Sequence, residues 1–153
     1  MTIAKHLNGS NLRLSRKKQY LSAIKNLMNF LPAILLSSIY GTYTDLYFIG
    51  RGLYSFPGRP WPEIFSVNLA FTLIGLPLLT VLFLIVCGRL NRWKTAIFIL
   101  TLSLIIAVFE KQAEALGLFM HHHSWKHLYS FIGYGIYFTM ILAFNQFIMY
   151  IRK

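Results

Sequence analysis

The sequence predicts an all-α, four-helix transmembrane bundle with both termini on the cytoplasmic side. Three observations carry that expectation. Of 153 residues, 56% are hydrophobic and 12% charged, with a mean hydropathy of +0.56; a soluble domain carries about 25% charged residues. Four apolar segments are each long enough to cross a hydrocarbon core of about 30 Å, which takes about 20 helical residues. The 15 Lys and Arg fall into two unequal groups separated by those segments. A net charge of +11 invites a nucleic-acid binder, but so apolar a chain excludes a soluble one, and no nucleic-acid partner is expected.

Residues 1–26 form a basic segment with Leu12, Leu14, Tyr20, Leu21 and Ile24 between its charges. It is expected to lie against the cytoplasmic leaflet and attract anionic lipid headgroups, at about 1 kcal/mol per basic residue near the surface. The apolar stretch after it is longer than a signal-peptide core and has no small-residue cleavage site, so it reads as an uncleaved anchor. Residues 27–153 then form one membrane domain, with helices over about 28–49, 64–87, 95–118 and 128–151; in lipid these segments satisfy their backbone groups as helices. The third is interrupted by Glu110-Lys111-Gln112-Ala113-Glu114. Pro77 removes one hydrogen bond from the second helix and is expected to kink it. No internal repeat is evident.

Lys5, Arg13, Arg16, Lys17, Lys18, Lys25, Arg89, Arg92, Lys94, Arg152 and Lys153 lie on one side of these spans, and Arg51, Arg59, Lys111 and Lys126 on the other. The positive-inside rule makes the first side cytoplasmic. All four acids, Asp45, Glu63, Glu110 and Glu114, fall toward the outside. Trp61, Trp93 and Trp125 each sit near a span boundary, as interfacial tryptophans do.

Polar residues inside spans are costly and mark sites or packing. Asp45, Asn68, Glu110 and Tyr134 are all expected roughly 6–9 Å below the outer boundary at 1.5 Å per residue. Helical spacing puts Ser37, Gly41, Thr44 and Asp45 on one stripe, and likewise Asn68, Thr72 and Gly75; Ser103, Ala107, Glu110 and Glu114; and Ser130, Tyr134 and Tyr137. Membrane helices turn such small and polar stripes toward one another. The expected polar layer is Asp45, Asn68, Glu110, Lys111, Glu114 and Tyr134, with Lys111 as ion-pair partner of Asp45 or Glu110. Its role is either a packing ion pair or an outward-facing acidic binding pocket.

The connection over residues 50–63 holds three prolines and three glycines and is expected to be a stiff outer loop capping the layer, through Arg51, Arg59, Trp61 and Glu63. His121, His122, His123 and His127 occupy the other outer connection. With a carboxylate, His121, His123 and His127 have the chemistry of a divalent-metal site, but they form no HExxH arrangement. The expectation is polar surface and no cofactor. Histidine is absent from the first two spans, which argues against a bis-His haem. Cys87 stands alone in an apolar run, which excludes an internal disulfide and CxxC motifs. No nucleophile–base pair or phosphate loop is evident.

The run 41–68 contains Gly41-Thr-Tyr-Thr-Asp-Leu-Tyr, Leu53-Tyr54-Ser55-Phe56-Pro57, Arg59-Pro60, Pro62-Glu63-Ile64-Phe65 and Asn68. Together with Glu110-Lys111-x-x-Glu114 and Trp125-Lys126-His127-x-Tyr129-Ser130, it resembles a family of small uncharacterised four-helix integral membrane proteins of spore-forming Gram-positive bacteria, over roughly residues 30–150. The resemblance implies a multi-pass protein of a bacterial plasma membrane and supplies no activity. The favoured expectation is a non-enzymatic binding or accessory protein, with the bilayer and a second membrane protein as partners. A membrane enzyme using the carboxylates and histidines, metal-dependent or not, is the alternative. A small transporter is the third reading, weakened because the acids lie near one surface and not at the midplane.

Overall fold

A computed structural model describes the backbone of residues 3–152 and the side chains of residues 27–152. The basic side chains before residue 27, and the lipid contact expected of them, lie outside the described residues. Two compact units are present, Met1–Leu31 and Pro32–Lys153. The first is the N-terminal part of helix α1 (Ile3–Gly50), and all contacts below lie within the second. The remaining elements are strand β1 (Tyr54–Ser55), a π-helical turn (Phe71–Gly75) running into α2 (Leu76–Cys87), α3 (Arg92–Ala115), strand β2 (Met120–His121) and α4 (His127–Ile151). The protein is thus all-helical apart from one two-residue ladder. Helices α3 and α4 are long and apolar enough to cross a membrane; the apolar helix Phe71–Cys87 is shorter. Ser37, Ser38, Thr42, Thr44 and Asp45 make α1 less apolar than either.

The second helix departs most from the sequence expectation. Residues 64–68 are non-helical, and helix begins at Leu69 rather than Ile64. Asn68 sets that start: its Oδ1 accepts from Phe71 N at 3.2 Å, satisfying a donor that the first helical turn leaves free. Pro77 has no N–H to offer the carbonyl four residues back. The chain answers with the π-helical turn just before it, in which Leu76 N reaches back to Phe71 O. The local effect of Pro77 is thus a change of helical pitch over Phe71–Gly75. The third helix starts at Arg92, three residues earlier than expected, because Asn91 caps it by accepting from Lys94 N at 3.0 Å.

α1 and α3 end in the same way. Gly52 and Gly117 have φ of +68° and +70°. Gly52 N and Leu53 N bond to Ile49 O and Phe48 O, and Gly117 N and Leu118 N bond to Glu114 O and Ala113 O. These are Schellman caps, which close the last free carbonyls. Gly117 is why α3 stops at Ala115, three residues short of the expected end. After each cap the chain enters a strand. β1 and β2 pair antiparallel, with Tyr54 opposite His121 and Ser55 opposite Met120, and His122 N extends the contact to Leu53 O at 2.8 Å.

The helices meet through small and polar side chains, as the stripes predicted. Ser37, Thr72 and Ser103 are fully buried. Ser37 Oγ joins Thr80 Oγ1 at 2.7 Å and the Tyr137 hydroxyl at 2.6 Å, tying α1, α2 and α4 together. An added Cβ on Gly41 would collide with Leu76, so glycine permits that approach. An aromatic group of Phe83, Phe98 and Phe138 fills the space between α2, α3 and α4.

The caps make a direct prediction. Gly52→Ala and Gly117→Ala should each lower stability by about 1–2 kcal/mol, since an L-residue is strained at positive φ. Gly50→Ala, in an open helical position, should be neutral or slightly stabilising. Chemical denaturation of the purified variants measures this, and equal effects at all three glycines would refute the capping role.

Candidate functional site

The last two turns of α1 and of α3, both strands and the start of α4 converge on one cluster. Asp45 is carried by α1, Glu110 and Glu114 by α3, His121 by β2, and His127 and Ser130 by α4. Glu110 and Glu114 share a helix face at i, i+4, where like charges repel. The His121 ring sits between them. Its Nδ1 is 2.6 Å from Glu114 Oε1, and its Nε2 is 2.6 Å from Glu110 Oε1. The Nε2 contact is close but poorly aligned for a hydrogen bond. His121 also donates its backbone N–H to Glu114 Oε1 at 3.0 Å. The register of the β1–β2 ladder holds the ring here, so the anchoring is through backbone.

Neighbours enclose the imidazole. The Trp125 indole stacks on it with centroids 5.1 Å apart and planes 12° from parallel, and Phe119 meets it edge-on at 4.4 Å. Trp125 Nε1 donates to Ser130 Oγ at 3.0 Å, and Ser130 Oγ donates to Glu110 Oε1 at 2.8 Å. On the α1 side, the Tyr54 hydroxyl donates to Asp45 Oδ1 at 2.6 Å. Asp45 Oδ2 is buried without a hydrogen-bond partner. Tyr134, half-buried on α4, neighbours both Glu110 and Asp45.

Burial followed by the charge of Asp45 pushes the Tyr54 phenol far above its ordinary range, so it stays a donor. For His121, burial alone favours the neutral ring, but the adjoining carboxylates of Glu110 and Glu114 outweigh it and raise the pKa above 6.5.

The structure brings together Asp45, Glu110, Glu114 and Tyr134 of the expected layer. It leaves out two members. Lys111 is exposed and forms no ion pair among the described residues: it follows Glu110 by one position, so its side chain leaves the helix about 100° away. The cationic partner is His121 instead. Asn68 is the helix cap described above. Of the loop residues, Arg59 is a clasp, donating to the carbonyls of Phe65 at 2.5 Å, Phe56 at 2.8 Å and Pro62 at 2.9 Å. Arg51 lies over the Tyr47 ring, while Trp61 and Glu63 are exposed. The loop contributes Tyr54 and Phe56 to the cover over the cluster. Among the histidines, one atom each of Glu114, His121 and His127 lie within 4.8 Å of one another, whereas His122 and His123 are exposed. Sequence reasoning missed Tyr54, Ser130 and Trp125 as site residues. Ser130 left a signal as the first member of the α4 stripe, and Tyr54 as an aromatic of the capping loop.

Comparison with protein-family models, curated proteins and solved structures finds no match to this chain.

The His121 contacts fix a pH dependence for the metal-free protein. A folded pKa raised above the ordinary 6.5 gives stability that is full below pH 6.5 and is lost as pH rises through the folded value. The groups facing the ring are Glu110 and Glu114 on α3, Tyr54 on β1 and His127 on α4. Thermal melts from pH 5 to 9 should show the midpoint falling across the upper part of that range, and His121→Gln should flatten the fall. A midpoint rising with pH would contradict the imidazolium bridge.

Proposed function

We propose that this chain is a multi-pass plasma-membrane protein of four helices with cytoplasmic termini. It acts as a non-enzymatic binding or accessory protein that takes a cation or cationic ligand at the outer end of the helices. The carrying observation is the charge balance of the cluster: Glu110 and Glu114 hold one imidazole between them, a third carboxylate, Asp45, joins through Tyr54, and Lys111 is turned outward.

The membrane reading is supported by an inverted distribution of polarity. Ser37, Thr72 and Ser103 are 0% exposed, while Leu82 is 63% and Ile97 64% exposed. Water penalises that much outward apolar surface, whereas a bilayer accepts it and drives helices together through small and polar contacts. Phe71–Cys87 measures about 26 Å at 1.5 Å per residue, a shortfall that local bilayer thinning absorbs at a fraction of a kcal/mol per Å. The basic residues still argue for N-in, C-in, and the resemblance noted in the sequence argues for a bacterial membrane. A metal-dependent enzyme is the second reading, favoured by the proximity of His127 to Glu114 and His121.

Two measurements test this. In a cysteine-accessibility scan in intact cells, position 18 should be protected and positions 122 and 123 labelled by an impermeant reagent; labelling of all three from one side would refute the topology. In native mass spectrometry after gentle extraction, wild type should retain a small non-protein mass that Asp45→Asn combined with Glu110→Gln loses, with the helical circular dichroism preserved. If the paired variant only unfolds, the layer is structural.

A further inference from the structure

We infer that Glu114, His121 and His127 form a site for a zinc-class divalent transition metal, with Glu110 as the carboxylate that orients His121 from behind. The inference rests on the reading of this layer as a binding site and names its ligand class.

The first argument is the donor set. One ligand atom from each of the three residues lies within 4.8 Å of the other two. Imidazole nitrogens with a carboxylate oxygen suit zinc and its transition-metal neighbours, not magnesium or calcium, which prefer all-oxygen shells. Bonds of about 2.0–2.2 Å in a tetrahedral shell keep ligand atoms roughly 3.3–3.5 Å apart. His121 Nδ1 to Glu114 Oε1 at 2.6 Å and His127 Nε2 to Glu114 Oε2 at 3.8 Å lie on either side of that spacing. Rotation of the Glu114 carboxylate and the half-exposed His127 ring closes the difference. Three protein ligands would leave a fourth position toward solvent, on the exposed flank of His127.

The second argument is independent of the first. Both nitrogens of His121 face a carboxylate oxygen at 2.6 Å, and its side chain is 5% exposed. An imidazolium meets both with N–H donors, but a neutral ring carries one N–H, and one contact then sets a lone pair against a carboxylate unless a metal cation takes its place. A metal at Nδ1 resolves the conflict: Nε2–H donates to Glu110, the Nδ1 lone pair and Glu114 bind the ion, and the close approach becomes shared ligation. A carboxylate behind a ligating histidine is the usual second partner of such a ring. The backbone fixes the arrangement, since Glu114 is on the last turn of α3, His121 is held in the ladder and His127 is the first residue of α4. His122 and His123 lie between two ligands in sequence, yet both are exposed.

The test uses the full-length protein in detergent, free of any affinity tag and stripped with a chelator, titrated with Zn²⁺ against a chromophoric competitor. One zinc per chain is expected. His127→Ala, at a half-exposed position where the fold is undisturbed, should weaken binding at least about tenfold. Glu110→Gln, which removes no ligand, should weaken it about 10–100-fold. The paired variant His122→Ala with His123→Ala should bind as wild type does. Absence of stoichiometric zinc overturns the inference, as does zinc that survives His127→Ala and disappears with the His122, His123 pair. If zinc fails to bind while the Asp45→Asn, Glu110→Gln pair still loses a ligand that wild type retains, the metal assignment falls and the binding layer stands. If wild type retains nothing, both fall.

Discussion

Glu110 and Glu114 sit one turn apart on the same face of α3, and everything at this end of the molecule depends on what lies between them. Left alone, two carboxylates at i, i+4 oppose each other and weaken the helix that carries them. The His121 imidazole occupies the gap and reaches both. Placing it there demands a sharp exit from α3, a strand partner to hold the exit chain, and aromatic cover to keep water from competing. Gly117, the β1–β2 ladder and the Trp125 and Phe119 rings supply these in turn. Ser130 then links the same carboxylate to α4, and Tyr54 carries the network to Asp45 on α1. Three helix ends are closed around one ring.

This explains which parts of the site were legible in the sequence. Helical spacing is local, so the stripes through Asp45, Glu110 and Ser130 could be read directly, and those faces do turn inward. Strand pairing is not local. Tyr54 and His121 are far apart in sequence, two-residue strands have no recognisable period, and the histidine run resembles ordinary surface. Lys111 was misread because nearness in sequence suggested a partner, whereas on a helix the next residue points elsewhere. Asn68 was misread for a related reason: its place in an apolar run suggested a position inside a helix, but its side chain accepts the bond that starts one. The apolar helices α3 and α4 were legible from hydropathy alone, with errors of up to three residues at their ends set by Asn91 and Gly117.

The interior mixes hydroxyls with large apolar side chains, Ser37, Thr72, Thr80 and Ser103 lying buried beside Leu84, Phe138 and Ile141. Ser37, Thr80 and Tyr137 hydrogen-bond to one another, and Ser103 returns its hydroxyl to Ile99 O at 2.8 Å. Thr72 and Ser103 turn their hydroxyls onto carbonyls four residues back, whereas Asn145 Oδ1 is buried without a hydrogen-bond partner.

Asp45 stands seven positions before Gly52, and Glu110 seven before Gly117. Seven residues of α-helix are about 10.5 Å and nearly two whole turns, so each acid lies almost directly beneath the glycine where its chain leaves the helix. The departing strand consequently begins on the acid's own face and folds back over it, bringing Tyr54 to Asp45 and His121 to Glu110. What is specified in each case is an interval. Inserting or deleting one residue within it would swing the acid about 100° around the axis and leave the strand covering the wrong face.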